Sequence, residues 1–179
     1  LKMNLVFLEF HVACNDIFSA TLKITSIIIF AHRIKLSNRH HLVDAIICEY
    51  LALLSRHQED QLAASSARSL ARFIINVCEP NLMGNHSHNK NELSSKVATL
   101  KKNLRKYVPV VMVKYIHIST TTPFKTAIRK ELTPAIYSIF DLLSQNEMIL
   151  LNAALDYAGV QYLRSLYADY KRVGKWQAD

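Results

Sequence analysis

The chain has 179 residues, half of them hydrophobic, with only three glycines and four prolines. That is enough apolar material for a sizeable core and too little turn chemistry for a sheet protein with many hairpins, so the class expected is all-α. A net charge of +8, from 22 Lys and Arg against 14 Asp and Glu, suits a nucleic acid or an acidic protein as partner, and equally a surface of solvated lysines.

Residues 1–34 read as two apolar helices, with Asn15 and Asp16 as a break and cap between them. Leu5, Leu8, Val12, Leu22, Ile27, Phe30 and Ile34 mark the expected buried positions. A segment apolar nearly all round must be covered on several sides. Since the chain begins at Leu1 and not at Met, a longer protein is expected to supply the cover. The most apolar stretch, IFSATLKITSIIIFA, carries Lys23 and four hydroxyl residues, which reads as too short and too polar for a membrane span. No secretory signal is visible, and no membrane partner is expected.

A short basic link, HRIKLSNRHH (His32 to His41), leads to Leu42, Ile46, Tyr50 and Leu53 at helical spacing, so the helices on either side form an antiparallel hairpin. A further helix is expected from Glu59 to Cys78, with the stripe Ala63, Ala67, Leu70, Ile74 and Val77. Its two alanines permit close approach of a neighbour. EPNLMGNHSHNKNE, residues 79–92, reads as an exposed, disorder-prone loop and an internal boundary. Leu93, Val97, Leu100, Leu104 and Val108 then mark one face of a helix that Pro109 ends. VVMVKYIHI reads as a short buried helix, or as a strand on its β-branched content; the helical context favours the helix.

Thr122-Pro123 and Thr133-Pro134 each place a hydroxyl cap before a proline, which predicts two short helices, 123–131 and 134–143. Ser144 to Glu147 fits a capping box opening a helix through Ala154. Asp156 is placed to cap the last helix, and Gly174 to end it. The architecture expected is eight or nine helices in consecutive antiparallel hairpins, the end of an α-solenoid of the HEAT or armadillo kind. Residues 1–179 read as a single helical domain.

Catalytic chemistry is not legible. There is no phosphate loop, nucleophile elbow or H-E-x-x-H, nothing sets a nucleophile beside a base, and no enzyme or cofactor is expected. Cys14, Cys48 and Cys78 are far apart in apolar runs, as buried free thiols are. His40-His41 and His86-x-His88 lack further ligands at a metal-binding spacing, so no metal is expected.

Basic elements carry more. Lys101, Lys102, Arg105 and Lys106 form one; Arg33, Lys35 and Arg39, beside His40 and His41, form a second. These are the expected RNA-binding residues, reading backbone and shape, with a solvated helix face as the plain alternative. Arg164, Lys171, Arg172 and Lys175 gather near the single tryptophan. Tyr167, Tyr170 and Trp176 are expected either to fold the tail onto the last hairpin or to anchor a protein partner.

Four C-terminal pieces carry a resemblance: Pro134-Ala-Ile-Tyr137, Leu151-Asn-Ala-Ala-Leu-Asp156, Leu166-Tyr-Ala-Asp-Tyr-Lys171 and Gly174-Lys-Trp176. With HRIKLSNRHHLVDAIICEYLALL, ARSLARFIINVCEP and LRKYVPVVMVKYI upstream in order, the chain from His32 onward resembles the C-terminus of a nucleolar family. That family is unhealthy ribosome biogenesis protein two, also called nucleolar pre-ribosomal-associated protein two. The resemblance implies the C-terminal domain of a large helical scaffold acting in early large-subunit (60S) biogenesis and 27S pre-rRNA processing. It implies residence in the nucleolus and association with the pre-ribosomal particle, nucleolar pre-ribosomal-associated protein one and a DEAD-box RNA helicase. It brings no catalytic residues, and it implies that the G-K-W ending closes a domain.

Overall fold

Apolar residues at three- and four-residue spacing, with few helix breakers, leave the chain little choice but helix. A computed structural model describes residues 2–33, 35–36, 39–55, 62–79 and 90–174, and side chains for all of these except 2–13, 90–97 and 174. Among the described residues there are eight helices and no strand. They are α1 (Lys2–Ala31), α2 (His40–Ser55), α3 (Ala64–Cys78), α4 (Lys90–Arg105), α5 (Val108–Thr121), α6 (Thr126–Phe140), α7 (Gln145–Ala154) and α8 (Tyr157–Gly174).

The expected break at Asn15-Asp16 is not there, because α1 runs unbroken for 30 residues. Asn15 caps a different helix: its Oδ1 accepts from the Ala63 backbone N–H and the Ser66 hydroxyl, both at 2.8 Å. Ala63, the residue before α3, has no side chain able to do this. At the other end of α3, Arg33 Nη2 donates to the Asn76 and Val77 carbonyls, both at 2.8 Å. Asn15 and Arg33 are 18 residues apart, about 27 Å of helix, and α3 is 15 residues long, about 22 Å. The second half of α1 therefore runs alongside and parallel to α3, with an acceptor at the N-terminus of α3 and a cation at its C-terminus, as the macrodipole favours.

The hairpin of α1 with α2 is present: Tyr50 sits between Phe18, whose ring is 5.2 Å away edge to face, and Thr25, whose hydroxyl is 3.1 Å from the phenol. The hydroxyl residues of α1 are less polar in effect than their sequence implies. Thr21 and Ser26 donate to the Ile17 and Leu22 carbonyls one turn back, leaving little for water. Cys14–Ala31 is, among the described residues, one window long and apolar enough to cross a membrane by length and composition, contrary to the expectation from sequence. Only 17% of this window is buried in the fold: Phe18, Leu22 and Ile29 pack inward, and Ile17, Ile24, Ile27 and Ile28 are exposed. Ile27, an expected core position, is 60% exposed. Leu5, Leu8, Val12 and Ile34 lie outside the described side chains.

On α2 the expected stripe is one residue out of phase. Leu42 and Leu53 are exposed; Val43, Ile47, Leu51 and Leu54 are buried with Tyr50. The cause is polar: His40 and Asp44 share the buried face, and a pattern search places such residues outside. Neither Asp44 carboxylate oxygen has a hydrogen-bond partner, and burial pushes the carboxyl up to about 7. Cys78 is buried and Cys14 and Cys48 half-buried, all free thiols. Burial, then Asp44, pushes Cys48 up to about 11.

The most extensive packing is between α3 and α6, followed by α2 on α5. The buried face of α3 carries Ala67, Leu70, Ala71 and Ile74; that of α6 carries Leu132, Ala135, Ile136 and Ile139. Small residues bring the axes together and branched ones fill the seam. Arg68 closes its edge on the Glu131 carboxylate through two bonds of 2.8 and 2.7 Å. The expected helix start near Glu59 moves to Ala64, with Ala63 exposed and outside the stripe. Helix α5, placed in the middle of the packing, buries Val111, Met112, Tyr115 and Ile116, so the helical reading of VVMVKYIHI holds over the strand.

The two Thr-Pro helices are one helix. Pro134 lies inside α6, where a proline removes one backbone donor, and Thr133 donates to the Arg129 carbonyl instead of capping. Thr122 ends α5, and Lys125 precedes α6. Two other caps are as expected. Glu147 accepts from the Ser144 N–H at 2.8 Å, and Asp156 Oδ1 accepts from the Gly159 N–H at 2.7 Å. A Cβ on Gly159 would stand 3.3 Å from Ile116 Cγ2, so glycine lets α8 approach α5. Residues 80–89 of the expected loop lie outside the described ones, while Lys90 to Glu92 already belong to α4.

Replacing Leu70 or Ile136 by Ala is expected to cost about 2–5 kcal/mol in urea unfolding, from reduced burial plus the cavity left behind. Asp44 predicts a pH effect. Its native carboxyl holds a proton up to about 7, which the unfolded chain releases near 4. Its contribution to stability is therefore full below about pH 4 and disappears as the pH rises towards 7. His40, whose native value is lowered by burial and then by Arg33, acts in the opposite direction below about 6.5. The difference between wild type and Asp44→Asn isolates the carboxyl: the variant gains about 1–3 kcal/mol relative to wild type between pH 5 and 8, read by thermal melts across pH.

Candidate nucleic-acid interface

The two basic elements, more than 60 residues apart in the chain, meet in the fold. Arg33 and Leu36 from the link, His40 from the start of α2, and Leu100, Lys101 and Leu104 from α4 line one small cavity. Its volume is about 20 Å³, the space of a single water and too little for a ligand. What matters is the adjacency it records: the link before α2 and the last turns of α4 form one edge of the molecule. The rings of His40 and His41 lie 6.1 and 6.3 Å from that of Tyr107, just beyond α4.

Within this edge the cations divide by role. Arg33 is half-buried, holds the end of α3, and stands 5.6 Å from the Phe30 ring centre. Burial holds its guanidinium below the usual arginine range, with Cys78 opposing the shift. Arg105 is also half-buried and donates Nε to the Leu142 carbonyl at 2.7 Å, tying α4 to the corner after α6. Lys101 is half-buried at the cavity; Lys35, Arg39, Lys102 and Lys106 are exposed. None of these last five forms an ion pair among the described residues. Five side chains are thus available to anions, and two arginines are occupied by carbonyls. Tyr107 is a member of this edge that sequence reasoning misses; its place between Lys106 and the apolar start of α5 is the only signal.

Tyr167 and Tyr170 of α8 lie on the end of α6. Phe140 is 5.3 Å from Tyr167 and 5.2 Å from Tyr170, and Tyr137 is 5.6 Å from Tyr170. Tyr170 donates its hydroxyl to Asp141, which pushes the phenol up to about 12. Lys171 Nζ stands 4.8 Å over the Tyr167 ring, and Arg172 pairs with Asp169 at 3.1 Å. Trp176 and Lys175 lie outside the described residues, as do His86 and His88. Among the described residues no group of three or more His, Cys, Asp or Glu side chains is placed to hold a metal.

No curated protein and no solved structure matches the chain. A family model does, over residues 3–179. With nearly every residue inside that match, the chain belongs to the Urb2/Npa2 family, a nucleolar family of ribosome biogenesis factors that is generally not catalytic.

Proposed function

We propose that the chain is a non-catalytic assembly domain in early large-subunit biogenesis and 27S pre-rRNA processing, contacting protein partners and the backbone of pre-rRNA. In this reading residues 1–179 are one helical domain at the C-terminal end of a larger helical-repeat scaffold. The main packing, α2 on α5 and α3 on α6, joins helices three apart in the chain, which fits a repeat of three helices and not the consecutive two-helix hairpins expected from the sequence. The observation that carries the RNA contact is the joining of the link before α2 to the end of α4, with Lys35, Arg39, Lys101, Lys102 and Lys106 unpaired along it. Point charges on flexible stems at one edge suit a phosphate backbone and carry no base code.

Protein partners are proposed from the family: nucleolar pre-ribosomal-associated protein one and a DEAD-box helicase, within the pre-ribosomal particle in the nucleolus. The exposed isoleucines of α1, Ile17, Ile24, Ile27 and Ile28, favour a protein contact in addition. They also support the second reading, a helical-repeat module that binds protein alone. Tyr167 and Tyr170 act in closure of the last helix, with partner contact as the alternative for their exposed edges.

Salt dependence separates the two readings. Replacing Lys35, Lys102 and Lys106 by Glu should lower affinity for a fluorescent RNA at least tenfold. The slope of log K against log salt should fall by about one for each phosphate no longer neutralised. An unchanged slope and affinity would remove RNA from this edge and leave the protein-binding module. Arg33→Ala should behave differently, lowering stability by about 1–2 kcal/mol through the two carbonyl bonds it makes, seen as a lower melting temperature.

A further inference from the structure

We propose that the cleft between α6 and α8 is a binding site for a single unpaired nucleotide of RNA. The proposal rests on the reading that this chain contacts RNA, and adds a second site of a different kind on another face.

The cleft follows from helix periodicity. Thr126, Arg129, Lys130, Thr133 and Tyr137 recur at three- and four-residue steps along one face of α6, and Tyr162, Ser165, Leu166 and Asp169 do so on α8. The two faces meet over Tyr115 of α5 and border an open groove of about 450 Å³, within the range of small-ligand sites. Tyr115 is fully buried, and its hydroxyl makes no well-formed hydrogen bond, its polar neighbours being the Tyr162 and Ser119 hydroxyls. A buried hydroxyl left so is unusual and costly. Burial, then Tyr162, pushes the phenol well above its usual range, so it stays a neutral donor at the floor.

The walls complete the recognition. Tyr137 and Tyr162 are half-buried and offer ring faces; Arg129 and Lys130 are exposed at the rim. Neither cation forms an ion pair among the described residues, whereas the nearby carboxylates are engaged, Glu131 by Arg68 and Asp169 by Arg172. A ligand with a flat ring, a polar edge and a negative charge meets all three features, and a nucleotide has each of them. A docked peptide would call for exposed aliphatic side chains around the groove. Those lie mostly elsewhere, on α1, at Leu42 and Leu53 of α2, at Val110 of α5 and at Ile149 and Leu150 of α7, with Val173 of α8 beyond the end of the cleft.

The test uses the full chain with two fluorescent probes, a single-stranded oligouridylate and an RNA duplex of the same length, read by anisotropy. Tyr162→Ala should weaken single-strand binding about tenfold. Arg129→Glu with Lys130→Glu should weaken it similarly and lower its salt slope. Tyr115→Phe, which keeps the buried ring, should melt with wild type and still bind the single strand several-fold more weakly. Duplex binding should be unchanged in all three. Single-strand binding unaffected by the charge reversal and by Tyr115→Phe would overturn the proposal, as would equal weakening for both probes. An acidic peptide bound through Arg129 and Lys130, with the single strand unaffected, would overturn it too. Variants at Lys102 and Lys106 run beside these tell the readings apart: weakening there alone removes the cleft and keeps the basic edge, and weakening at the cleft alone does the reverse.

Discussion

The grip on α3 is the constraint from which the rest follows. Asn15 holds its N-terminus, Arg33 its C-terminus, and α6 covers its apolar face, with Arg68 and Glu131 fastening the seam. These contacts join parts of the chain 43 to 63 residues apart. Each closes a long loop, whose entropic cost grows only slowly with length. The clasp of α3 with α6 therefore encloses the segment containing α4 and α5 at a cost about 2 kcal/mol above that of a four-residue turn. Helix α5 buries Val111, Met112, Tyr115 and Ile116 and leaves Val110, His117 and Thr120 to water.

The positions of both candidate sites descend from that grip. Fixing Arg33 on the end of α3 fixes the link after it, and the link is what α4 meets at Lys101. Arg105 then ties α4 to the Leu142 carbonyl, so the basic edge is set from two directions. The cleft beside Tyr115 has the same origin at the other side of α5. Helix α6 is held against α3, α8 is capped by Asp156 and drawn to α5 at Gly159, and the tyrosines of α8 rest on Phe140. The space left between α6 and α8 is bounded by groups that packing on α3 and α5 left facing each other.

Much of this is legible in the sequence, and what escapes it has particular causes. Local signals translate directly: the capping residues Glu147 and Asp156 and Ala67 on the α3 face stand as expected, whereas the helix expected to run to Val108 already ends at Arg105, and Pro109, expected to end it, sits in the first turn of α5. A residue that acts across the fold does not translate. Asn15 resembles a helix break because its partner, the amide of Ala63, lies 48 residues away. Pro134 resembles a helix start because sequence shows the missing N–H but not the packing of Ile136 and Ile139 that carries α6 through it. The phase of α2 is hidden because buried His40 and Asp44 contradict a rule based on polarity alone. The two basic elements are each visible, but their meeting is not, since it depends on where α3 ends. Arg129 and Lys130 escape notice for the same reason: Tyr115 of α5 and Tyr162 of α8 must be in place before the two cations line anything.

Arginine and lysine divide the work in a way that follows from their chemistry. Arg33, Arg68 and Arg105 each spend a planar fork on acceptors within the chain, two carbonyls, a carboxylate and a carbonyl respectively. A guanidinium gives up its hydration readily and keeps its charge when partly buried, so it can serve as a fastener. The ammonium groups of Lys35, Lys102 and Lys106 stay exposed, as strongly hydrated point charges do. A helical stack held by Arg33, Arg68 and Arg105 and bordered by lysines, with Arg39 and Arg129 also exposed, has its free positive charge where it repels neither the core nor its own seams. Such a border attracts a polyanion through the number of its charges and not through fixed geometry. The proposed nucleotide cleft is a place of the other kind, where tyrosine rings are held rigidly over the most deeply packed part of α5.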